Sequence, residues 1–175
     1  MKMEINTLTP ELFLELYSSV GWEPPCIEQV REALINTIAT FTVYDSEQAV
    51  GMVRLIGDGG MSFYIKDFAV IPSYQSKGVG TLIMESLEKY IRESISSEWA
   101  VSLELISTKE AVPFYKKKGF EERPCEWDGP GMFKMIRWEV QISALWRVES
   151  THEFEFYGGN RGKWFQYRMK LCLHL

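Results

Sequence analysis

An anion-binding loop is indicated by a run of small and polar residues, Gln75-Ser76-Lys77-Gly78-Val79-Gly80. Because glycine lacks a Cβ atom, Gly78 and Gly80 allow the backbone to turn tightly and to approach a ligand closely. The run follows an apolar stretch that stops at Pro72 and precedes a segment of helical periodicity, so its N–H groups would lie at a helix N-terminus. We therefore predict a binding site for a phosphate or pyrophosphate here.

Two other interpretations of this loop can be weighed from the sequence. A P-loop is excluded by the spacing, because the nearby Lys77 precedes Gly78 and no GxxxxGK[ST] pattern occurs. An ordinary turn between a strand and a helix is the alternative, since a short glycine pattern is weak evidence by itself.

Two amphipathic helices are predicted upstream of the loop. Thr9-Pro10 has the sequence of an N-cap followed by proline in the first helical turn. Pro24-Pro25 interrupts the chain before a second helix, whose apolar positions begin at Ile27. The short loop between the two helices carries Trp22 and Glu23, and a loop of this kind could line a pocket.

The apolar residues on either side of the glycine loop recur with the periods of β-strands and helices. We predict an antiparallel meander, a long helix with a buried stripe, and then a further strand. With one short strand at the N-terminus, the strands cover 41–44, 49–56, 62–71 and 101–107, and a short helix covers 111–118. The fourth strand is then 62–71 and the fifth is 101–107. This order predicts a mixed α/β sheet with a right-handed crossover.

Composition limits the class of protein. The chain has 175 residues, 46% of them hydrophobic, with a net charge of −5 and a pI near 5.2. The length favours one domain with an appendage, and the negative charge argues against nucleic-acid binding and suits a cationic substrate. The apolar runs are too short to cross a bilayer and the N-terminus lacks a signal peptide, so we expect no membrane association and a cytoplasmic location.

Cysteine and histidine positions exclude several kinds of site. Cys26, Cys125 and Cys172 are far apart and form no CxxC pair, so we predict neither a disulfide framework nor a zinc site. Both histidines, His152 and His174, lie in the last quarter of the chain. A histidine-based triad or metal cluster within the main domain alone is therefore excluded, and we expect no metal cofactor.

Residues from about 138 onward differ from the rest of the chain. Odd positions over 165–175 are apolar while polar residues alternate with them, and 153–156 alternate in the same way. With Gly158-Gly159-Asn160 between them, the two segments predict a β-hairpin, and 140–148 could supply a third strand. The apolar face of such a sheet needs cover, so we expect the tail to extend the domain's own sheet or to form a homodimer interface.

Two segments of the chain resemble the GNAT acetyltransferase superfamily. Gln75 to Gly80 matches the acetyl-CoA signature of Gln or Arg, two residues, Gly, one residue, then Gly or Ala. The segment from Ala111 to Phe120 is similar to the family pattern of Ala, two residues, Leu or Phe with Tyr, three residues, then Gly-Phe. The resemblance implies a mixed, mostly antiparallel α/β sheet flanked by helices and splayed between strands four and five. The acetyltransferase domain would span 1–137, which leaves 138–175 as a C-terminal β extension.

The resemblance also implies where acetyl-CoA would bind. The pantetheine arm would pair with the backbone of Phe68, Ala69 and Val70 on the fourth strand, by strand addition. Backbone N–H groups of the loop would bind the pyrophosphate, with Thr81 adding a hydroxyl donor. Thr108 stands where many relatives have asparagine, and its side chain could add a hydrogen bond near the cofactor. The loop residues concerned are Gln75, Ser76, Lys77, Gly78, Val79 and Gly80.

Acetyl transfer to an amine requires a neutral nucleophile, a donor to the oxyanion and a proton for the leaving thiolate. Tyr115 matches the family's usual general acid, and packing beside Phe114 in the core is the alternative. Asp67 is the first candidate for the base, unless it only pairs with a neighbouring cation or caps the strand and ordered water takes the proton. Glu104 on the fifth strand is the second candidate, for which a solvated surface charge is the favoured alternative.

Three residues are candidates for binding the acceptor. Trp22, Glu23 and Tyr64 would supply aromatic faces and a carboxylate to an ammonium group, although packing and a surface charge explain them equally well. Tyr64 replaces the glutamate of several histone-type relatives. The sequence thus favours an acetyl-CoA-dependent N-acetyltransferase that acts on a small primary amine by direct attack in a ternary complex. A protein or peptide acetyltransferase and a non-catalytic acyl-CoA-binding module are the alternatives.

Overall fold

The computed structural model describes residues 1–126, 128–132, 134, 155–160 and 163–168. It contains two compact units, Met1–Gly131 and Met132–Leu175. In the first unit a five-stranded sheet carries helices on both faces. Among the described helices, none combines the length and the apolar character needed to cross a membrane.

The elements of the first unit follow the predicted order. In chain order they are β1 (Lys2–Ile5), α1 (Pro10–Ser19), α2 (Ile27–Ile35), β2 (Ala39–Asp45), β3 (Gln48–Gly57), β4 (Ser62–Val70), α3 (Val79–Ser94), β5 (Ser102–Glu104) and α4 (Val112–Lys117). The strands pair in the order β1-β2-β3-β4-β5, antiparallel except for the parallel pair of β4 and β5. The predicted mixed, mostly antiparallel sheet is confirmed.

Local sequence explains how α1 begins. The Thr9 hydroxyl accepts a hydrogen bond from the Leu12 N–H at 3.2 Å, which satisfies one of the unpaired donors of the first turn. Pro10 occupies the first helical position, where a missing N–H costs nothing. The residues that α1 and α2 bury most fully are Phe13, Leu16 and Val30.

Alternating side chains of β2 and β3 divide the core between the two faces of the sheet. On one face, apolar strand residues pack against α3, whose buried positions recur at helical spacing. On the other face, α1 and α2 cover Met52 and Ala69. The fully buried members of the cluster under α3 include Phe41, Val53, Leu55, Ile83 and Leu87. This cluster holds α3, and with it the preceding glycine loop, against the sheet.

The strands β4 and β5 run together for only three residues. The paired residues are Ser62 with Ser102, Phe63 with Leu103 and Tyr64 with Glu104. Beyond this point β4 continues to Val70, and within the described residues no strand pairs with its last part on the β5 side. The fifth strand is therefore shorter than the predicted 101–107, and the predicted splay between strands four and five is confirmed.

One β-hairpin is described in the second unit. Its strands, β6 (Glu155–Asn160) and β7 (Lys163–Arg168), pair antiparallel, which confirms the predicted hairpin. The predicted connection through Gly158-Gly159-Asn160 is wrong, because these residues pair with Phe165, Trp164 and Lys163 inside the ladder. Glycine adopts extended backbone as well as turn conformations, so a glycine pair does not locate a turn by itself. The strand predicted over 140–148 lies outside the described residues.

Candidate active site

A β-bulge in β4 lies at the point where β5 ends. The pairs Met52–Ala69 and Arg54–Lys66 leave one residue of β3 opposite two residues of β4. Asp67, the first of these two, has a φ of 52°, in the left-handed region that aspartate tolerates better than most residues. The bulge includes Phe68, the first of the three strand residues that were predicted to contact acetyl-CoA.

This bulge reverses which face of the sheet each side chain of β4 occupies. Before it, Phe63 and Ile65 belong to the core under α3. After it, the odd-numbered Ala69 belongs to the core under α1 and α2, whereas the even-numbered Phe68 packs on the α3 side. Phe68 is thereby brought to the side of the sheet that carries α3 and α4.

Backbone groups are also redirected, into the gap beside β4. Ile71 N–H donates to Val50 O at 3.0 Å, and hydrogen-bonded residues alternate along an antiparallel pair of strands. The N–H and C=O groups of Phe68 and Val70 therefore point away from β3 and toward the space that β5 leaves open. Those of Ala69 face β3, so two of the three predicted residues direct backbone groups into this space.

The glycine loop has a backbone shaped like an anion-binding turn. Ser76 and Gly78 have φ values of 61° and 86°, and Gly78 is the N-cap of α3. Within the described part of the chain, the backbone N–H groups from Ser76 to Thr81 have no hydrogen-bond acceptor. Consecutive unpaired N–H groups at a helix N-terminus attract anions, so the geometry agrees with the predicted seat for a pyrophosphate.

Side-chain contacts that the sequence does not signal hold this loop in place. Gln75 Nε2 donates to Val70 O at 3.0 Å, which joins the loop to the end of β4. The Tyr74 hydroxyl donates to Asp45 Oδ2 at 2.7 Å, and this bond raises the pKa of Tyr74. The Lys77 ammonium lies 5.1 Å from the centre of the Tyr74 ring, within cation–π range. The loop is therefore anchored to the β2–β3 turn as well as to β4.

An aromatic cluster on β4 and α4 packs against the first turn of α3. The centre of the Tyr115 ring lies 5.2 Å from that of Phe114, 6.2 Å from Phe68 and 5.7 Å from Phe120. A Cβ atom on Gly80 would lie 3.3 Å from Phe114 Cζ, so glycine is what permits this close approach. Tyr115 thus packs among aromatic residues, and it does so beside the strand that faces the gap.

Burial raises the pKa of Tyr115 to about 12. The pKa of an exposed tyrosine is about 10 and that of a thiol is about 8.5. The Tyr115 phenol therefore keeps its proton through the neutral and mildly alkaline range, as a proton donor must. It is also a weaker acid than an exposed tyrosine, so its match to a thiolate is less close than the ordinary value indicates.

Asp67 is paired with a cation. Arg54 Nε donates to Asp67 Oδ2 at 2.6 Å, and the two side chains are 11% and 13% exposed. Pairing with a neighbouring cation is thus the interpretation of Asp67 that the geometry favours. Arg54 was not among the residues selected from the sequence, although an arginine inside the apolar run of β3 is a usable signal.

Tyr64 and Glu104 lie side by side at the last pair before β4 and β5 separate. Glu104 Oε1 lies 3.5 Å from Arg123 Nη1, and Arg123 Nε also lies 2.6 Å from Asp128 Oδ2. Burial raises the pKa of Tyr64, and the charge of Glu104 adds to the shift. Both predicted residues therefore stand at the narrow end of the gap, where Glu104 belongs to a small charge network.

The α1–α2 loop places Trp22 against α1. The Trp22 ring packs edge-on to Tyr17, 4.8 Å between centres, and Tyr17 stacks on Phe13 at 5.3 Å. Burial raises the pKa of Tyr17, and the charge of Asp67 adds to this shift while Arg54 opposes it. Tyr17, which sequence spacing presents as an ordinary core residue, therefore links Trp22 to the neighbourhood of Asp67.

Other predicted contributors make fewer contacts. Glu23 is exposed and forms no ion pair with any described residue. Thr108 is also exposed, and its carbonyl accepts a hydrogen bond from the Ala111 N–H at 3.1 Å. Over the described ranges, no group of three or more His, Cys, Asp or Glu residues could hold a metal ion, and His152 and His174 lie outside these ranges.

Comparison with known proteins identifies the family. A family profile described as an acetyltransferase (GNAT) domain matches residues 15–137. A protein of Pyropia yezoensis named as the uncharacterized N-acetyltransferase ycf52 is 31% identical over 124 residues, which cover 68% of this chain and 67% of that protein.

Solved structures agree with this match. A probable acetyltransferase from meticillin-resistant Staphylococcus aureus is 37% identical with a TM-score of 0.67, over 77% of this chain and 98% of that one. A GNAT family protein of Streptococcus pneumoniae is 30% identical with a TM-score of 0.66, over 78% of this chain and 98% of that one. The region that matches the family profile contains strands β2 to β5, the glycine loop and the aromatic cluster. The chain therefore belongs to the GNAT superfamily and is an acyltransferase.

Proposed function

We propose that this acetyltransferase moves an acetyl group from acetyl-CoA to the primary amine of a small molecule, by direct attack while both substrates are bound. The observation that carries the proposal is the arrangement around the gap beside β4. Unpaired donors of the glycine loop lie beyond the end of β4, Phe68 and Val70 direct backbone groups into the gap, and Tyr115 packs against Phe68. These groups suit an anion, an extended amide chain and a reacting thioester respectively.

The residues present fit the parts of acetyl-CoA. Backbone N–H groups from Ser76 to Thr81 would hold the pyrophosphate at the start of α3. Phe68 and Val70 would pair with the pantetheine amides as an added strand. Because a carbonyl oxygen has two lone pairs, Val70 O can accept from the pantetheine and from Gln75 Nε2 together. The Thr108 side chain would add a hydrogen bond near the cofactor.

Acetyl-CoA would supply a thioester whose carbonyl carbon accepts the nucleophile. The Phe68 N–H is the group that would donate to the carbonyl oxygen as negative charge develops there. Tyr115 Oη holds the proton that the departing sulfur requires, and burial, which raises the pKa of the phenol, keeps that proton in place before the transfer. Ordered water is the group that would remove the proton from the amine, because the Asp67 carboxylate, the first candidate base, is paired with Arg54. Glu104 is the second carboxylate candidate.

A small cationic amine is the acceptor that the surrounding chemistry favours. Aromatic rings of Tyr17, Trp22 and Tyr64 and the carboxylates of Glu23 and Glu104 belong to the α1–α2 region and the β4–β5 pair. Aromatic faces and carboxylates attract an ammonium group, and the net charge of −5 agrees with a cationic partner. A protein or peptide amine is the second candidate.

Residues 138–175 are proposed to act as a separate β extension. The hairpin of β6 and β7 supports a sheet in this part of the chain, and an apolar sheet face requires cover by the protein's own domain or by a second copy. Sedimentation of a chain truncated after about residue 138 distinguishes the two. An unchanged oligomeric state in the truncated chain would exclude a homodimer through this segment.

Release of free thiol from acetyl-CoA in the presence of arylalkylamines, polyamines, amino sugars and amino-acid derivatives tests the function. We expect turnover with at least one of these amines. Tyr115→Phe should lower turnover by about a hundredfold while the affinity for CoA stays nearly constant, because the phenol donates a proton only as the sulfur departs. Tyr90→Phe, which removes the hydroxyl of a ring packed on Phe41 under α3, is the matched control and should stay within about twofold of wild type.

Two results would contradict this proposal. Tight CoA binding without thiol release on any small amine, together with release on peptides, would move the acceptor to the protein class. A Tyr115→Phe variant within about twofold of the wild-type rate would remove Tyr115 as the proton donor.

A further inference from the structure

Arg54 ties the bulge of β4 to the end of α2. Its Nε donates to Asp67 Oδ2 at 2.6 Å, and its Nη1 donates to Ala33 O and to Thr37 Oγ1, each at 2.9 Å. Thr37 Oγ1 in turn donates to Ala33 O at 2.7 Å. One guanidinium, 11% exposed, therefore connects β3, β4 and the last turn of α2 through three hydrogen bonds.

The residue that Arg54 binds is the one that forms the bulge. Asp67 has a φ of 52°, a conformation that an L-residue adopts at a cost in free energy and keeps only where its surroundings hold it. Relaxation to ordinary extended backbone would abolish the bulge and shift the register of β4 by one residue, which would reverse the face of the sheet on which Phe68 lies. Among the described residues, Arg54 is the cation paired with the Asp67 carboxylate.

We propose that Arg54 is a positioning residue for acetyl transfer. Through Asp67 it fixes the bulge that aims the Phe68 N–H into the gap and seats the Phe68 ring against Tyr115. The inference rests on the proposed function, because Phe68 and Tyr115 are the groups that Arg54 would position. Arg54 itself contacts the opposite side of the sheet, where its guanidinium lies 5.9 Å from the centre of the Phe13 ring.

If Asp67 acts only as the hydrogen-bond partner of Arg54, an asparagine can take its place. Asparagine accepts a hydrogen bond from Arg54 Nε through its Oδ1 atom, and it tolerates left-handed backbone as well as aspartate does. A general base, in contrast, loses its function when the carboxylate becomes an amide. Anchor and base therefore predict opposite results for Asp67→Asn.

Kinetics and NMR of Arg54→Met, Asp67→Ala, Asp67→Asn and the Arg54→Met/Asp67→Ala double variant test the proposal. We expect Arg54→Met and Asp67→Ala each to lower kcat at least about tenfold, with the KM for acetyl-CoA within about threefold of wild type, because small misplacements mainly affect the reaction step. The double variant should be little worse than either single variant. Asp67→Asn should keep kcat within about threefold of wild type.

The NMR measurement uses the protein without ligand. The Phe68 amide cross-peak should shift in Arg54→Met and stay in place in Arg31→Met. Arg31→Met is the matched control because it also removes one guanidinium charge. Arg31 lies on α2, its side chain is 54% exposed, and its Nη2 lies 3.6 Å from Glu11 Oε1.

Several outcomes would overturn the inference. One is an Arg54→Met variant within about twofold of wild-type kcat with an unmoved Phe68 amide. Another is an Asp67→Asn variant as slow as Asp67→Ala, which would make the carboxylate a base. If Arg54→Met does not fold, Arg54→Lys, which keeps the charge but not the fork of donors, is read by the same criteria. Absence of wild-type turnover on every amine would overturn the proposed function as well, whereas wild-type turnover with an unimpaired Arg54 variant overturns this inference alone.

Discussion

The two faces of the central sheet are built from different kinds of side chain. Under α3 the buried residues are aliphatic or aromatic, and Leu87 is fully buried among them. Under α1 and α2 the apolar residues share the space with the Arg54–Asp67 ion pair. That side of the sheet also carries the buried hydroxyls of Thr40 and Thr42, which have no hydrogen-bond partner among the described residues.

Stability and orientation are therefore supplied from opposite faces of one sheet. Apolar burial gains free energy in proportion to area, so the face under α3 is suited to holding that helix and its N-terminal loop. Buried charges and hydroxyls cost desolvation, which an ion pair recovers only with good geometry. We therefore expect the face under α1 and α2 to add little stability from its polar groups and to orient β4 instead.

Truncation of the apolar face should have the largest effect. Leu87→Ala removes methyl groups from a fully buried position and leaves a cavity, so the free energy of unfolding should fall by about 2–5 kcal/mol. Urea unfolding followed by circular dichroism measures the change. Ile35→Ala on α2, 77% exposed, is the control and should change the free energy by less than about 0.5 kcal/mol. A loss in Leu87→Ala no larger than that of the control would mean that the face under α3 does not provide the stability.

A smaller effect is expected where the apolar face meets the glycine loop. A Cβ on Gly80 would lie 3.3 Å from Phe114 Cζ, so Gly80→Ala must displace a ring that packs on Phe68 and Tyr115. We expect the dissociation constant for CoA to rise about tenfold, equivalent to about 1.4 kcal/mol, in calorimetric titration. Gly60→Ala is the control, because no heavy atom lies within 4 Å of its Cβ position. Equal affinities of the two variants would show that the ring does not support the site.

The face of the sheet under α3 could be predicted from the sequence. The stripe of α3, its glycine N-cap and the tyrosine that precedes Gly119-Phe120 are local patterns, and each depends on residues within one or two turns of the chain. Helix periodicity and turn residues also place the meander, so the order of elements is confirmed. The roles predicted for Tyr115 and Asp67 stay predictions.

The pairings on the face under α1 and α2 could not be predicted, because they join distant segments. Arg54 and Asp67 are thirteen residues apart and meet only through the register of β3 and β4. No glycine or proline marks the bulge, since the sequence Lys66-Asp67-Phe68 is compatible with a regular strand. The length of β5 likewise depends on where β4 turns away from it. The ion pair between Arg54 and Asp67 therefore could not be read from the sequence.

The smallest expected effects concern two threonines near the face under α1 and α2. The hydroxyl of Thr37 is hydrogen-bonded, whereas that of Thr42 has no partner among the described residues. The Thr42 hydroxyl is buried without a partner among the described residues, so Thr42→Val keeps the shape, removes an uncompensated desolvation cost and should raise the free energy of unfolding by about 1 kcal/mol. Thr37→Val should lower it by about 1 kcal/mol, because Thr37 Oγ1 accepts from Arg54 and donates to Ala33 O. Urea unfolding of both variants checks the signs. Destabilisation of both would mean that the Thr42 hydroxyl is hydrogen-bonded after all, and the polar face would then add to stability as well as to orientation.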